Sequence, residues 1–349
     1  MLYKENWNQI KEHYQEFWAR ENHDRPILSV RAPKKDQKLW TPPVFNNFRE
    51  RWFNVDYMLS HAHHTFQNTY YGGDAFPQLC PDLGPDLFAA LYGVPLEYGS
   101  DTSWAVHNLH EWEDGHKFRM DRMNEYYRKI LELTEAAVED GKGQYIVGVT
   151  DIHPGLDGLV SMRGPETLCI DTLECPDLIK NGAMQLFEGF KTFYDELYQM
   201  TTKYQEGSSN WMGIWHPGRW YVTSCDFCCL ISTGMFEELI VEELEAELNF
   251  LDASIFHLDG PDALKHLDRL LQIDKLDGIQ WVYGAGQPTA AHWIDVLKKI
   301  QEAGKCFQIL ATPEELPLLL KELQPEGAMY LVDAKSEDEA RALEKLAGF

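Results

Sequence analysis

Short apolar runs alternate with amphipathic segments along the second half of the chain. The segments between the runs place their apolar residues at helical spacing, and the connecting stretches are short. Such alternation is typical of parallel βα units. The predicted strands are residues 26–30, 145–149, 211–215, 221–225, 254–258, 278–282, 306–310 and 328–332. About eight strands of this kind predict a TIM-like (βα)8 barrel, with a doubly wound sheet as the alternative.

The first third of the chain is less regular. Residues 5–22 and 53–70 have helical spacing, whereas residues 72–104 mix glycine, proline and aromatic residues without a clear period. We therefore predict one domain over residues 1–349, in which residues 1–110 include an N-terminal helical extension or cap.

Composition excludes several classes of partner. The 349 residues include 56 acidic and 31 basic side chains, for a net charge of −25. This charge opposes binding to nucleic acid or to an anionic membrane surface. No apolar run is long enough to span a membrane, and no signal-peptide core follows Met1. Seven cysteines, an odd number, favour reduced thiols. We expect a cytoplasmic protein with a small-molecule substrate, and a homodimer is compatible with such a barrel.

Two chemically able side chains end one predicted strand. His257 and Asp259 close the run 254–258, and the period of two along a strand places them on the same face. Ligands bind at the carboxyl ends of parallel strands, so this pair is a candidate acid–base pair or metal site. The alternative is a hydrogen-bonded histidine beside a helix-capping aspartate, although Asp262 is the better cap.

Asp226 follows another predicted strand, inside a cluster of three cysteines. An aspartate between apolar neighbours at a strand end is a candidate catalytic group. Cys225, Cys228 and Cys229 could bind zinc or act in redox chemistry, but no second cysteine pair matches them, and free cysteines are common core residues.

Other polar and aromatic residues are predicted near the same strand ends. Trp281, Gln280 and Gln287 are expected to shape a pocket, and Arg219 to bind a carboxylate or phosphate. The candidate substrate-binding residues are Trp281, Gln280, Gln287, Trp215 and Arg219, and Asp151 and His153 are further candidates.

Several of these motifs together resemble the uroporphyrinogen decarboxylase superfamily, in particular its methyltransferase-like branch. The similarity covers most of residues 72–345. It rests on Arg163-Gly164-Pro165-Glu166, Cys225-Asp226-Phe227, Ser232-Thr233-Gly234-Met235, His257-Leu258-Asp259-Gly260, Ile279-Gln280-Trp281 and Ala303-Gly304-Lys305. The resemblance implies a (βα)8 barrel with its site at the mouth. The Arg-rich segment of true uroporphyrinogen decarboxylases has no match after residue 30.

The methyltransferase branch implies a particular metal site. Its enzymes move methyl groups between a corrinoid, carried by a partner protein, and a thiol, using zinc held by a His-x-Cys pair and a later cysteine. Here Asp259 stands at the first cysteine position, and Asp333 is the nearest residue to the second. The resemblance thus implies His257, Asp259 and Asp333 as metal ligands, a harder set than His-Cys-Cys.

Four functions follow as hypotheses. The first is a corrinoid-linked methyltransferase-like enzyme with His257, Asp259 and Asp226 at its centre. The second is a decarboxylase that binds a carboxylate through Arg219 or Arg163. The third is a glycosidase with Asp226 and Asp259 as paired carboxylates. The fourth is a ligand-binding barrel without catalysis.

Overall fold

The computed structural model of the chain describes residues 1–112 and 116–349. It contains eleven strands in this part of the chain: β1 Ile27–Pro33, β2 Thr69–Gly73, β3 Gln78–Leu79, β4 Leu96–Tyr98, β5 Ser103–Ala105, β6 Ile146–Val147, β7 Trp220–Ser224, β8 Ala253–Asp259, β9 Gly278–Val282, β10 Cys306–Leu310 and β11 Ala328–Asp333.

Helices follow most of the strands. The α-helices are α1 Trp7–Ala19, α2 Phe48–Trp52, α3 Val55–Asn68, α4 Leu87–Ala90, α5 Glu125–Gly141, α6 Gly155–Arg163, α7 Pro165–Glu174, α8 Pro176–Thr201, α9 Thr233–Leu239, α10 Val241–Phe250, α11 Leu267–Leu271, α12 Ile294–Glu302, α13 Leu316–Glu322 and α14 Glu337–Leu346. Short 3₁₀ helices cover Asp226–Leu230, Pro261–His266 and Ala290–Trp293. None of the helices in the described residues is both long and apolar enough to cross a membrane.

A seven-stranded sheet forms the centre of the molecule. Its order is β2-β1-β11-β10-β9-β8-β7, and all neighbours are parallel except β1 and β2. The strands of parallel sheets are covered on both faces and are apolar throughout. Strand β8 fits this rule, because Ile255, Phe256 and Leu258 are fully buried on alternate faces.

The arrangement is a barrel-like α/β fold. Strands β3 and β6 form a separate parallel pair, and Val149 makes an isolated parallel bridge to Asn210. Among the described residues these short pairings stand apart from the seven-stranded sheet. The parallel βα pattern predicted from the sequence is therefore confirmed, whereas a closed ladder of eight strands is not shown.

The amphipathic helix predicted at the N-terminus is present as α1. Its apolar face buries Ile10, Tyr14 and Phe17, which pack in one cluster with Ile27 at the start of β1 and with Trp215. Ile27 begins its strand, so α1 lies at the amino ends of the strands, opposite the predicted site.

Three predicted elements differ from the structure. Residues 211–215 do not form a strand. Residues 211–212 form a turn, in which the Asn210 side chain accepts a hydrogen bond from the Met212 amide at 3.0 Å, and Gly213 then adopts a φ of +71°. Residues 235–251, whose apolar spacing also predicts a single helix, are divided at Ile240 into α9 and α10. Residues at the end of the helix predicted over 53–70 instead begin the antiparallel strand β2.

Candidate metal centre at the mouth of the sheet

Neighbouring strands bring a row of polar side chains onto one face of the sheet. His257 on β8 is in register with Gln280 on β9, and Gln280 is in register with Gln308 on β10. Asp259 follows His257 by two residues and shares its face, because strand side chains alternate. This end of the sheet, where β7, β8 and β9 terminate, is called the mouth below.

Three side chains at the mouth converge as a group that could hold a metal ion. One donor atom each from Asp226, His257 and Asp259 lies within 4.8 Å of the other two. The Nε2 atom of His257 is 3.8 Å from Oδ1 of Asp226. The His257 side chain is 16 % exposed and the Asp226 side chain 63 % exposed. The sequence placed Asp226 and His257 on separate strands, and the structure brings them together.

The position of Asp226 is fixed by a neighbouring carboxylate, that of Asp157 on α6. Asp157 accepts hydrogen bonds from the Ser224 hydroxyl at 3.0 Å and from the backbone amides of Asp226 and Phe227 at 3.0 and 3.2 Å. These bonds hold the turn that follows β7. Asp157 was not among the predicted site residues, because nothing in the local sequence pattern links α6 to β7.

The same carboxylate changes the acidity of Asp226. Desolvation of the carboxyl group in the mouth and the negative charge of Asp157 together raise the pKa of Asp226 to about 6, against the opposing effects of His257 and His153. Asp226 therefore changes its protonation state close to neutral pH. A carboxylate that loses its proton so near to neutrality can act either as a ligand or as an acid–base group.

The imidazole of His257 is held from the opposite side. Its Nδ1 atom is hydrogen bonded to Oε1 of Gln280, and the Trp211 ring lies edge-on with its centroid 5.5 Å from that of the imidazole. The Nε2 atom therefore faces the two carboxylates. Gln280, predicted to contact substrate, instead orients a member of the site. Trp211, which was predicted to lie in a strand, lies in a turn from which its ring reaches His257.

A pair of one acidic and one basic side chain, Asp151 and His153, lies beside the three converging donors Asp226, His257 and Asp259, which are called the triad below. Nε2 of His153 is 2.7 Å from Oδ1 of Asp151. Burial lowers the pKa of His153, but the charge of Asp151 and its hydrogen bond outweigh this effect and raise the pKa to about 9. His153 is thus a cation at neutral pH, and its charge offsets part of the negative charge of Asp151, Asp157 and Asp226.

Two of the predicted substrate-binding residues lie at the other end of the sheet. Trp215 is 2 % exposed, and its ring centroid lies 6.0 Å from that of Trp7 on α1. Arg219 precedes the first residue of β7 and forms an ion pair with Asp195 at 3.1 Å. Their predicted position at the mouth is wrong, because the segment before β7 is a turn at the amino end of the strand.

Trp281 is also misplaced by the prediction. It is 1 % exposed, and its ring centroid lies 5.1 Å from that of Trp293. Its neighbour Gln280 faces His257, so alternation directs Trp281 to the opposite face of the sheet. Gln287 is exposed in the loop after β9. No contact in the described part of the chain joins Gln287 to the triad.

Asp333 lies outside the group of converging donors. It ends β11 and is in register with Arg31 on β1, on the far side of β9 and β10 from His257. Asp226 takes the place predicted for Asp333 as the third donor. The sequence could not distinguish them, because both follow strands that end at the mouth.

The cysteine cluster lies outside the group of converging donors. Cys225 and Cys228 are buried, and burial raises the pKa of both thiols well above the ordinary value. Protonated thiols are poor ligands and poor nucleophiles. Within residues 1–112 and 116–349, the group of converging donors includes no cysteine.

The donor set of the triad fits a divalent cation. Zinc binds imidazole nitrogen and carboxylate oxygen at about 2.0–2.2 Å, so tetrahedral ligand atoms are about 3.3 Å apart. The present separations of up to 4.8 Å require a small inward movement, which the exposed Asp226 side chain can make by rotation. Three protein ligands leave one position open, as in catalytic zinc sites.

Comparison with solved structures is informative about the fold of the chain. No family profile matches the chain, and no curated protein matches it in sequence. A solved structure described as a methyltransferase from Methanosarcina mazei is similar with a TM-score of 0.65 and 11 % sequence identity. The match covers 97 % of this chain and 98 % of the other. The chain therefore shares the α/β fold of that structure over nearly its whole length.

Proposed function

We propose that the protein is a corrinoid-linked methyltransferase-like enzyme that binds a small substrate at the mouth of the sheet. The observation that carries the proposal is the convergence of Asp226, His257 and Asp259 at the carboxyl ends of β7 and β8. Substrates bind at this end in barrel enzymes. The similarity of the whole fold to that of a methyltransferase supports the reaction class.

In this proposal, Nε2 of His257 and one oxygen each of Asp226 and Asp259 hold a zinc ion. A bound zinc ion supplies Lewis acidity, which lowers the pKa of a group coordinated at its open position. The protein's own residues keep that position aligned: Asp157 holds the turn that carries Asp226, and Gln280 orients the imidazole. The methyl group would come from a corrinoid on a partner protein.

The ligand set also bears on the methyl acceptor. Two carboxylates and one imidazole are a harder set than the His-Cys-Cys set that activates thiols in the resembling enzymes. A metal with oxygen ligands retains more positive charge and interacts more strongly with oxygen or nitrogen. We therefore propose a methyl acceptor that reacts through oxygen or nitrogen instead of through a thiol.

Metal analysis of the purified protein tests the metal site. We expect about one zinc ion per chain in the wild type, and loss of zinc from His257→Ala and Asp259→Asn. The matched control is His23→Ala. His23 is exposed and pairs with Glu326 at the amino ends of the strands, away from the triad, so this variant should retain zinc. No zinc in the wild type after incubation with excess metal would refute the site.

Methyl transfer is tested separately with free methylated corrinoid as donor. Loss of the methyl group changes the visible absorbance of the corrinoid, so candidate oxygen and nitrogen acceptors can be screened directly. We expect a signal with wild type and none with His257→Ala. Equal rates for the two proteins would refute catalysis at this site, even if zinc binds.

A decarboxylase is the second candidate function. The arginine that could bind its carboxylate substrate is Arg31, and not Arg163 or Arg219, which were predicted for that role. Arg163 is in an ion pair with Asp171 at 2.6 Å, and Arg219 lies at the opposite end. The side chain of Arg31, however, is exposed near the end of β1 beside a cavity of about 560 Å³, and within the described residues it makes no ion pair or hydrogen bond. It could bind a carboxylate. Release of CO₂ without methyl transfer would favour this candidate.

The glycosidase hypothesis receives less support from the geometry. The nearest donor oxygens of Asp226 and Asp259 are within 4.8 Å, and the His257 imidazole approaches the same point. Paired glycosidase carboxylates are roughly 5–10 Å apart to flank a sugar bond. An imidazole that shares their position favours joint metal binding.

A further inference from the structure

A chain of buried amides connects His257 to a backbone carbonyl in the turn before β7. Oε1 of Gln280 contacts Nδ1 of His257, and Nε2 of Gln280 donates to Oε1 of Gln308 at 2.6 Å. Nε2 of Gln308 donates to the carbonyl oxygen of Met212 at 3.1 Å. Gln308 is 0 % exposed and Gln280 is 8 % exposed.

The end of this chain determines the direction of every bond in it. A backbone carbonyl can only accept, so Met212 requires the amide nitrogen of Gln308 to point towards it. The oxygen of Gln308 then faces Gln280 and can only accept, which turns the amide nitrogen of Gln280 towards Gln308. The oxygen of Gln280 remains for His257. It can only accept, so Nδ1 of His257 must carry the proton.

We propose that Gln308 is a positioning residue that, through Gln280, keeps neutral His257 protonated on Nδ1 and unprotonated on Nε2. The bare Nε2 then faces Asp226, 3.8 Å away, as a metal ligand must. The relevance to metal binding rests on the proposed function, but the position of the proton is a property of the metal-free protein.

Removal of Gln308 should release the proton from Nδ1. In Gln308→Leu, the Nε2 atom of Gln280 loses its acceptor, and within residues 1–112 and 116–349 no other hydrogen bond fixes which end of that amide faces His257. The Gln280 amide can then rotate and donate to Nδ1 of His257. That arrangement places the imidazole proton on Nε2, the atom needed for a metal.

The test is ¹⁵N NMR of the metal-free, full-length protein labelled at histidine. Spectra are recorded at about pH 9, above the ordinary histidine pKa of roughly 6.5, and the His257 signals are identified by their absence in His257→Ala. We expect a protonated-type shift for Nδ1 and a bare-type shift for Nε2 in the wild type. A wild-type proton on Nε2 would overturn the inference without reference to any variant.

Two substitutions at the same position guard against misfolding. Gln308→Leu and Gln308→Met should both shift the proton towards Nε2, while the exposed control Gln272→Leu should leave it on Nδ1. An unchanged proton position in a folded Gln308 variant would refute the role of Gln308. If neither variant folds, the wild-type spectrum alone decides.

Zinc titration then separates this inference from the proposed function. Loss of the residue that hydrogen-bonds a metal-ligating histidine weakens metal binding by about 10–100-fold. Because Gln308 holds Gln280 in that role, we expect a decrease within this range in Gln308→Leu and none in Gln272→Leu. A wild-type proton on Nδ1 with no zinc binding would leave the positioning role intact and refute the metal site. Zinc binding of equal strength in all three proteins would refute the role of Gln308 alone.

Discussion

Replacing Glu243 by glutamine should remove much of the pH dependence of folding stability. Glu243 and Glu247 are one turn apart on α10 and are 6 % and 2 % exposed. Neither forms an ion pair within the described residues, and each has one buried oxygen without a hydrogen-bond partner. Burial, with the charge of Asp157, raises the pKa of Glu243 to about 8, and burial also raises that of Glu247.

The sign and the size follow from linkage. Below a pH of about 4.5 the carboxyl of Glu243 is protonated in both states, and its protonated form is fully compatible with burial. As pH rises from about 4.5 to about 8, the unfolded chain loses this proton first, so the free energy of unfolding falls. Each pKa unit corresponds to about 1.4 kcal/mol, so the raised pKa of Glu243 corresponds to a loss on the order of a few kcal/mol.

Urea denaturation at about pH 5 and about pH 8 measures the effect. The wild type should be less stable at the higher pH, and Glu243→Gln should reduce this difference by several kcal/mol, since the amide is neutral at both pH values. The exposed neighbour Glu242→Gln is the matched control and should behave as wild type. An equal pH difference in Glu243→Gln and wild type would refute the reasoning.

Three further predictions concern the mouth and the sheet behind it. Because the pKa of Asp226 is raised to about 6, the zinc affinity of the wild type should fall as pH decreases through that value. In Asp226→Asn the zinc affinity should depend less steeply on pH. An equal slope of zinc affinity against pH in the two proteins would contradict this. Asp157→Asn removes the charge that raises this pKa, so the fall should move to lower pH, with a stability cost of about 1–3 kcal/mol for the weakened hydrogen bonds; an unmoved midpoint would count against it. Trp281→Ala should cost about 3–5 kcal/mol in urea denaturation with unchanged zinc affinity, since Trp281 faces away from the triad; a large loss of zinc from the folded variant would refute that orientation.

The parallel strands were predictable because their signal is local. Runs such as 254–258 and 278–282 are apolar, bounded by polar residues and separated by short helical segments, so each run indicates a strand without knowledge of its neighbours. The alternation rule also places His257 and Asp259 on one face. Applied to β9, the same rule separates Gln280 from Trp281, and the prediction that both shape one pocket overlooked it.

The remaining features depend on contacts between distant parts of the chain. The turn at Asn210 resembles a strand in its composition, and only the side-chain hydrogen bond to Met212 and the positive φ of Gly213 show otherwise. The choice of Asp226 over Asp333 as third donor depends on which strand neighbours β8. No local sequence pattern reveals the order of strands in the sheet. The sequence therefore indicates which side chains could bind a metal, but not which of them meet in one site.

That turn has a consequence for the site itself. Because residues 211–213 do not join the sheet, the carbonyl of Met212 is free to accept from Gln308, and the Trp211 ring can lie against His257. A strand in this segment would use its carbonyls in ladder hydrogen bonds, and the amide chain to His257 would lose its fixed end. The element for which the prediction failed is therefore the one that orients the predicted ligand. The irregular backbone between β6 and β7 contributes to the site as directly as the regular strands do.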